Sequence, residues 1–312
     1  MTAQAGRTPT DEELARELPG DFTSHHADAG GTRLHYVTGG SGEPLVLLPG
    51  YPQTWWAWHK VLPDLARHFT VIAADLRGMG GSARPADGYD KKTMAADIHA
   101  LIRHLGHHDV NIAGHDMGAM VAFAFAANHP EATRKVALLD TAHPDDSYYD
   151  LRLIARPGTG ITRWWWAFNQ VQHLPQVLYA GHMRQVIDWL FTHALDDQSL
   201  IGDRDRDIYA AAYDHPDGIR AACAWYQAYH QDIADLKTYP KITAPLLGIG
   251  SRFSHDHFRT TLPTLADDVR VERVKQSVHY FPEEEPELIT HHLLDFFRQP
   301  PAADHRPPTA DR

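Results

Sequence analysis

An aspartate stands where a strand gives way to a helix in the stretch VNIAGHDMGAMVAFAFAANHP, residues 110–130. The apolar run 110–113 is typical of a strand, and apolar residues at helical spacing follow Gly118. A turn of the pattern Gly-x-Ser-x-Gly at such a junction presents a nucleophilic serine, but here the central residue is Asp116. A carboxylate needs no separate base to attack carbon, and it forms an ester. We therefore predict that Asp116 attacks an sp³ carbon that carries a leaving oxygen or halide.

The position of Asp116 also predicts its ionisation. Backbone N–H groups and the helix dipole stabilise an anion at a helix N-terminus, so we expect a lowered pKa for this carboxyl. The alternative is that Asp116 only caps the helix, a position at which Asp is among the preferred residues. A general base and an orienting acid that follow in the expected chain order favour the nucleophile.

The general base that would hydrolyse the ester is predicted to be His279, in VKQSVHYFPEEEPE. It follows a predicted strand and precedes the last helix, and a histidine oriented by an acid can activate water. Two acids could orient it. Asp140 ends the strand VALLD, and Asp256 follows LLGIGSRFSH; we favour Asp140 because its strand lies beside that of Asp116. The acidic run PEEEPE is interpreted as a solvated helix start.

The elements that must position these residues alternate between strands and helices, which predicts an α/β fold with a mostly parallel sheet covered on both faces. The alternation stops after about residue 145, where a helical, aromatic-rich run begins. We predict core segments at 20–146 and 236–298, a helical cap or lid at 147–235 over the carboxyl ends of the strands, and loose termini at 1–19 and 299–312.

Composition excludes several classes of function. The 312 residues carry a formal charge of −11, which disfavours nucleic acid as a partner. The single Cys223 rules out an internal disulfide or a Cys-based zinc site, and we interpret it as a core residue. No signal-peptide or membrane-spanning run is visible, so we expect a reduced, cytoplasmic compartment. The 23 histidines show no metal-binding spacing, and we predict no metal and no cofactor.

Four motifs in order, PGYPQTWWAW, DLRGMGGSARP, GHDMGAM and SVHYFPEEEPE, resemble the α/β-hydrolase superfamily in its epoxide hydrolase and dehalogenase branch. The resemblance covers residues 25–298 and implies the α/β-hydrolase fold with a helical lid insertion. It places oxyanion-hole donors on the backbone N–H groups of Tyr51 and Met117, and it implies a cis Tyr51–Pro52 bond. Pro49 replaces the histidine that usually braces this loop, which puts that bracing in doubt.

The resemblance also assigns roles in the lid. Tyr226, in CAWYQAYH, matches one of two tyrosines that hold and protonate an epoxide oxygen in this family. The other position falls in RWWWAFNQ, where only tryptophans are available. Indole donates a hydrogen bond but does not readily give up its proton, so we predict that Tyr226 is the acid and that Trp165 or Trp166 polarises the oxygen.

The resulting hypothesis is an epoxide hydrolase that opens a bulky, flat, apolar epoxide to a vicinal diol. The chain resembles actinomycete epoxide hydrolases that tailor aromatic polyketides of the kinamycin and fluostatin type. A homodimer is compatible with the sequence, which does not specify the oligomeric state.

Two alternatives remain open. A haloalkane dehalogenase or defluorinase would use the same triad, but Met117 and Tyr51 replace the Trp and Asn that hold halide in haloalkane dehalogenases. Met117 and Met120 replace the two arginines that hold the substrate carboxylate in fluoroacetate dehalogenases, and burying an unpaired carboxylate is costly. The other alternative is a ligand receptor on this scaffold that binds without turnover.

Overall fold

The computed structural model describes residues 7–152 and 163–299. Its eight strands are β1 (Thr23–Ala29), β2 (Thr32–Gly39), β3 (Glu43–Leu48), β4 (Phe69–Ala74), β5 (Val110–His115), β6 (Thr133–Leu139), β7 (Leu246–Gly250) and β8 (Val269–Arg273). They form a sheet in the order β1-β2-β4-β3-β5-β6-β7-β8. β2 pairs antiparallel with both β1 and β4, and the pairs from β4 to β8 are parallel.

The helices before the interruption of the sheet are α1 (Asp11–Glu17), α2 (Leu62–Leu65), α3 (Lys91–His104) and α4 (Met117–Asn128). Between β6 and β7 lie α5 (Trp164–Asn169), α6 (Leu174–Tyr179), α7 (Met183–Ala194), α8 (Asp203–Tyr213), α9 (Pro216–Gln227) and α10 (Tyr229–Leu236). The last three are α11 (His255–Leu265), α12 (Phe281–Glu284) and α13 (Pro286–Arg298). Within the two described ranges, no helix is long and apolar enough to cross a bilayer.

The centre of the sheet is buried on both faces. Every residue of β5 and of β7 is buried, as are five of the six residues of β3, because helices cover both sides of a parallel sheet. The continuous apolar runs in the sequence reflect this environment. The mostly parallel sheet with helical covers is confirmed, and the buried Cys223 agrees with its interpretation as a core residue.

The segment between β6 and β7 forms only helices among its described residues. It contacts the sheet domain through polar groups as well as apolar ones: Tyr213 Oη donates to the Gln53 carbonyl at 2.6 Å, and Trp56 Nε1 donates to Asp205 at 2.8 Å. We retain 147–235 as the proposed cap between the core segments 20–146 and 236–298. Its part at 153–162 lies outside the described residues.

The N-terminal segment corrects one prediction. Residues 1–19 were expected to be loose, but α1 is a capped helix in which the Thr10 side chain and Glu13 form a capping box. Leu14 is buried, and Trp55 Nε1 donates to Asp11 at 2.7 Å. Tertiary contacts therefore stabilise this helix, and its polar composition does not indicate them. Of the predicted loose C-terminus, 300–312 lies outside the described residues.

Candidate active site

Asp116 occupies a strained turn between β5 and α4. Its φ of 52° and ψ of −117° place a non-glycine residue in a sparsely populated region of backbone conformation. The turn also requires close backbone approach, because a Cβ on Gly118 would lie 2.2 Å from the Leu48 carbonyl oxygen. The tight packing turns the Asp116 side chain toward the carboxyl ends of β3 and β6.

Two backbone N–H groups face the Asp116 carboxylate. The Tyr51 N–H donates to Asp116 Oδ1 at 2.9 Å, and a hydrogen bond from the Met117 N–H also helps to lower the pKa of this carboxyl. These are the two donors that the resemblance implied. The Tyr51–Pro52 peptide is cis, as expected. In the free protein the predicted oxyanion hole is therefore occupied by the nucleophile's own oxygen.

The second carboxylate oxygen faces the predicted base. His279 Nε2 lies 3.6 Å from Asp116 Oδ2, and His279 Nδ1 lies 2.6 Å from Asp140 Oδ2. Asp140 also accepts a hydrogen bond from the Ser254 hydroxyl. The competing candidate Asp256 is 88% exposed at its side chain and pairs with His255 instead. The geometry thus brings Asp116, His279 and Asp140 together and leaves Asp256 outside.

The expected lowered pKa of Asp116 is wrong. Burial raises the pKa of this carboxyl above its ordinary value, and the charge of His279 and the N–H groups of Met117 and Tyr51 only partly oppose it. The local sequence indicates the helix dipole and the N–H donors but not the loss of water around the side chain. The charged form of Asp116 is therefore stabilised by His279 and the two N–H groups, and not by water.

His279 shows the opposite balance. Burial lowers the pKa of His279, but the hydrogen bond and charge of Asp140, followed by the charge of Asp116, outweigh it and raise the pKa overall. The short contact to Asp140 fixes the ring and stabilises its protonated form. A histidine so oriented can accept a proton from water beside the Asp116 carboxyl.

The loop that carries His279 is held by Glu284, a residue that sequence reasoning placed in solvent. Its side chain accepts hydrogen bonds from the N–H groups of His279 at 3.2 Å and Tyr280 at 2.7 Å, and from the Ser277 hydroxyl. Glu284 is 8% exposed and Glu283 is 1% exposed. The interpretation of PEEEPE as a solvated helix start is therefore wrong for these two residues.

Glu283 braces the loop in which Pro49 replaces the family's histidine. The Gln53 side-chain amide donates to Glu283, and the Gln53 carbonyl accepts from Tyr213 Oη in the cap. A further bond within the loop joins the Gln53 N–H to the Gly50 carbonyl at 2.8 Å. The bracing that the sequence left in doubt is thus supplied by other residues.

Tyr226 lies in α9, within the proposed cap, and is 2% exposed. Its ring meets the ring of Tyr51 edge to face, with centroids 5.8 Å apart. Burial raises the pKa of Tyr226 well above its ordinary value, the charge of Asp116 adds to the rise, and a hydrogen bond from Trp165 partly opposes it. The phenol is therefore protonated at neutral pH, as an acid must be, and Trp165 is beside it.

Trp166 points elsewhere. Its ring packs against Tyr229 at 5.8 Å and Tyr148 at 5.3 Å. Of the two candidate tryptophans, the geometry thus places Trp165, and not Trp166, against Tyr226. Tyr229 was missed at the sequence level, although it lies three residues after Tyr226; it begins α10, and its ring meets the Tyr226 ring at 5.5 Å. Its hydroxyl reaches the Met117 sulfur at 3.9 Å.

Two clusters of metal-binding residue types lie away from Asp116. His99, His129 and Glu131 bring their ligand atoms within 4.8 Å of one another, and so do Asp11, His35 and Asp75. In the second cluster the buried Asp75 already accepts from Trp55 N–H at 2.8 Å and from Gly81 N–H at 3.1 Å. Neither cluster contributes a residue to the site around Asp116.

Comparisons with known proteins find relatives of this chain among hydrolases. Residues 43–168 match the family described as alpha/beta hydrolase fold. The soluble epoxide hydrolase of Corynebacterium sp. (strain C12) is 34% identical over 288 residues, which span 89% of this chain and 98% of that protein. The fluoroacetate dehalogenase of Burkholderia sp. is 36% identical over 155 residues, 48% of this chain and 49% of that protein. Crystalline Cfl2 from Burkholderia cenocepacia superimposes with a TM-score of 0.85 and 35% identity, over 93% of this chain and 98% of that chain.

The fold, the carboxylate at the strand-to-helix turn and the extent of these matches define a hydrolase. The chain belongs to the α/β-hydrolase-fold family, within the branch that contains epoxide hydrolases and fluoroacetate dehalogenase. The fold class and family expected from the sequence are confirmed.

Proposed function

We propose that the protein hydrolyses epoxides to vicinal diols through an ester on Asp116. The observation that carries the proposal is the arrangement of this one carboxylate. One oxygen accepts from the Tyr51 N–H, and the other lies 3.6 Å from a histidine whose far nitrogen is 2.6 Å from Asp140. A nucleophile, a charge-stabilising donor and an oriented base therefore surround a single reacting centre.

In the first step Asp116 attacks an epoxide carbon, and the carbon–oxygen bond of the strained ring breaks. The ring oxygen takes a proton from Tyr226, and the Trp165 indole N–H, which donates to Tyr226 in the free protein, shifts its hydrogen bond to the ring oxygen. An alkoxide is a stronger base than an ordinary tyrosinate, which favours transfer of the proton from Tyr226 to the ring oxygen. Hydrogen bonds that strengthen as charge develops lower the barrier selectively.

In the second step His279 removes a proton from water, which attacks the carbonyl carbon of the ester. The negative charge then develops on Oδ1, the oxygen that already accepts from the Tyr51 N–H. Collapse of this intermediate breaks the bond to the ester oxygen, which takes up the proton of the added hydroxyl, so the diol is released and the carboxylate is restored. The proton on His279 returns through solvent to the tyrosinate, so the net reaction consumes the epoxide and one water.

The walls of the site support a flat, apolar substrate. The rings of Tyr51, Tyr226 and Tyr229 meet edge to face at centroid distances of 5.8 and 5.5 Å, and Met117 and Met120 are buried beside the nucleophile. Met117 and Met120 stand where fluoroacetate dehalogenases have arginines, so an anionic group on the substrate beside the reacting carbon would lack a cation to pair with. An aryl epoxide without charge at its reacting end fits this chemistry.

Dehalogenation is the second candidate function, and the similarity to fluoroacetate dehalogenase supports it. The same Asp116 could displace halide, with Tyr226 and Trp165 as donors to the departing anion. The products differ, since displacement expels halide and epoxide opening expels nothing.

Intact mass of a His279→Gln variant separates the two reactions. Without the base the ester at Asp116 should persist. After incubation with trans-stilbene oxide, we expect the protein to gain the whole mass of the epoxide. With a haloalkane, a dehalogenase would gain the mass of the substrate less that of hydrogen halide. Absence of any adduct with either compound would support a receptor that binds without chemistry, and would contradict the proposal for this substrate class.

Two variants control the experiment. His257→Gln changes an exposed histidine of α11 and should turn over normally without storing an adduct. His279→Gln combined with Asp116→Asn should store none. An adduct that survives the Asp116 change would assign the ester to another residue.

A further inference from the structure

An aromatic cavity of about 240 Å³ lies between α5, α10 and the residues that follow β6. Its walls include the rings of Tyr148, Tyr149, Trp166 and Tyr229. Aromatic walls of this kind take up flat apolar groups. The catalytic proposal gives this cavity no role.

The cavity is separated from the nucleophile by two tyrosine rings. Tyr148 and Tyr229 meet edge to face with centroids 5.4 Å apart, and Tyr229 Oη reaches the sulfur of Met117 at 3.9 Å. Burial raises the pKa of both phenols, and the charge of Asp116 adds to the rise in each. The Tyr148–Tyr229 pair therefore lies between this cavity and Met117, the residue that follows the nucleophile.

The rim of the cavity carries two exposed arginines, Arg152 and Arg163. The Arg163 guanidinium lies over the Trp166 ring, 5.2 Å from its centroid. Across residues 7–152 and 163–299, neither arginine has a carboxylate within 4.0 Å, whereas other cap arginines such as Arg184 and Arg206 form ion pairs. In a chain of net charge −11, two cations beside an aromatic pocket without acidic partners are suited to an anionic ligand group.

We propose that the epoxide substrate extends past the Tyr148–Tyr229 pair into this cavity and carries an anionic oxygen at its far end, paired with Arg152 and Arg163. The inference rests on the proposed epoxide hydrolysis and adds the substrate class: flat aromatic epoxides with a carboxylate or ionised phenol remote from the epoxide. An anion at this rim stays near water and cations, so it avoids the desolvation cost it would meet beside Met117 and Met120. The reacting end of the substrate remains apolar.

Steady-state kinetics on a matched pair of substrates tests the inference. trans-Stilbene oxide and its 4-carboxy analogue differ by one anionic group far from the epoxide. In a double variant Arg152→Gln, Arg163→Gln, we expect KM for the carboxylate to rise about tenfold, the sum of two partly exposed ion pairs. KM for the neutral compound should change less than twofold, and kcat should be unchanged for both. Added salt should raise KM for the carboxylate substrate and leave KM for the neutral substrate unchanged.

The 4-hydroxy analogue distinguishes the two sources of anionic oxygen. It should behave as the neutral compound at pH 7 and gain sensitivity to the arginines only as its phenol ionises, near pH 10. Arg103→Gln is the matched control, since it removes one exposed positive charge on α3, away from the cavity. An equal effect on charged and neutral substrates, or the same effect in the Arg103 variant, would overturn the assignment.

Failure of the catalytic proposal can be recognised separately. If the wild-type protein turns over neither stilbene oxide, then binding of unreactive stilbene-4-carboxylate, measured by calorimetry, tests the cavity alone. We expect about tenfold weaker binding in the double variant. Equal affinity in wild type and double variant would reject the cavity as an anion-binding extension whatever the reaction.

Discussion

Asp116 is held in an unfavourable state in two respects. Its backbone lies at φ 52°, a strain of about 1 to 3 kcal/mol, and burial raises the pKa of its carboxyl. The N–H groups of Tyr51 and Met117 and the nearby His279 oppose the second cost. Formation of an ester would remove the charge, and with it the penalty of burying that charge. The environment that disfavours the free carboxylate therefore favours its reaction.

The hydroxyl of Tyr226 is predicted to carry most of the acid catalysis. Tyr226→Phe should lower the rate of ester formation about 10²- to 10³-fold, because one donor to the developing alkoxide is lost. Rapid-quench measurement of the adduct would give this rate. Tyr36→Phe, a buried tyrosine of β2 remote from the site, is the control and should leave the rate unchanged. A loss below threefold at Tyr226 would move the acid to another group, with Tyr229 the next to test.

We predict that removing the charge of Asp140 lowers the pKa of His279 more than removing the charge of Asp116 does. The hydrogen bond and charge of Asp140 raise it most, and the charge of Asp116 raises it less. Asp140→Asn should therefore lower the pKa of His279 more than Asp116→Asn does, which NMR titration of the imidazole would measure. Ester hydrolysis needs neutral His279, so in wild type it is lost as pH falls below this raised pKa. Asp256→Asn, at an exposed carboxylate, should shift nothing, and a reversed order would contradict the assigned contacts.

At the scale of elements, the three reacting side chains depend on loops that follow strands. Asp116 follows β5, Asp140 follows β6 and His279 follows β8 by six residues. The first two are fixed by the sheet, since β5 and β6 are hydrogen-bonded neighbours. His279 needs other support: Glu284 accepts from its N–H, and buried His115 donates Nε2–H to its carbonyl at 2.7 Å. Burial lowers the pKa of His115 to about 3, so this imidazole is neutral.

Glu284 is predicted to act by positioning. Glu284→Ala should leave the N–H groups of His279 and Tyr280 without their acceptor and displace the base. Because small displacements of a catalytic group cost up to about 10²-fold in rate, we expect ester hydrolysis to slow 10- to 100-fold while ester formation changes little. Single-turnover kinetics separates the two steps. Glu287→Ala, at an exposed residue of α13, should alter neither, and an equal slowing of both steps by Glu284→Ala would indicate general misfolding instead.

At the scale of the whole molecule, one buried ion pair joins the sheet domain to the proposed cap. Lys91 of α3 and Asp232 of α10 are both fully buried, and their charged atoms lie 2.8 Å apart. Lys91 Nζ also donates to the Trp225 carbonyl at 2.9 Å and lies 5.0 Å from the centre of the Tyr229 ring. The pair therefore sits behind the helices that carry Tyr226 and Tyr229, and fixes them relative to the sheet.

Breaking this pair should destabilise the protein strongly. Lys91→Met leaves Asp232 buried without its cation, which costs about 3 to 5 kcal/mol in the free energy of unfolding. Denaturant unfolding would measure the loss. Lys91→Met combined with Asp232→Leu should recover part of it, because the unpaired charge is removed. Lys237→Met, at a pair 61% and 66% exposed, should cost less than about 1 kcal/mol. If Lys91→Met lowered the free energy of unfolding no more than Lys237→Met does, the Lys91–Asp232 pair would not hold the sheet domain and the proposed cap together.

The sequence by itself determined what depends on local pattern. Continuous apolar runs predicted the buried strands, and an aspartate at a strand-to-helix junction predicted the nucleophile's place, because such runs and turns are set by neighbours in the chain. Chain order and strand adjacency favoured Asp140 over Asp256, which the geometry supports. The helix α1 was missed because its stability comes from Trp55 and other residues distant in sequence.

Only the tertiary structure decided what depends on distance and on water. It reversed the expected pKa shift of Asp116, since burial is not visible in a local sequence. It placed Trp165 rather than Trp166 against Tyr226, and it turned Glu284 from a presumed surface residue into the acceptor that holds His279. These facts arise from groups far apart in the chain that exclude solvent from one another, and a linear pattern does not record which groups those are.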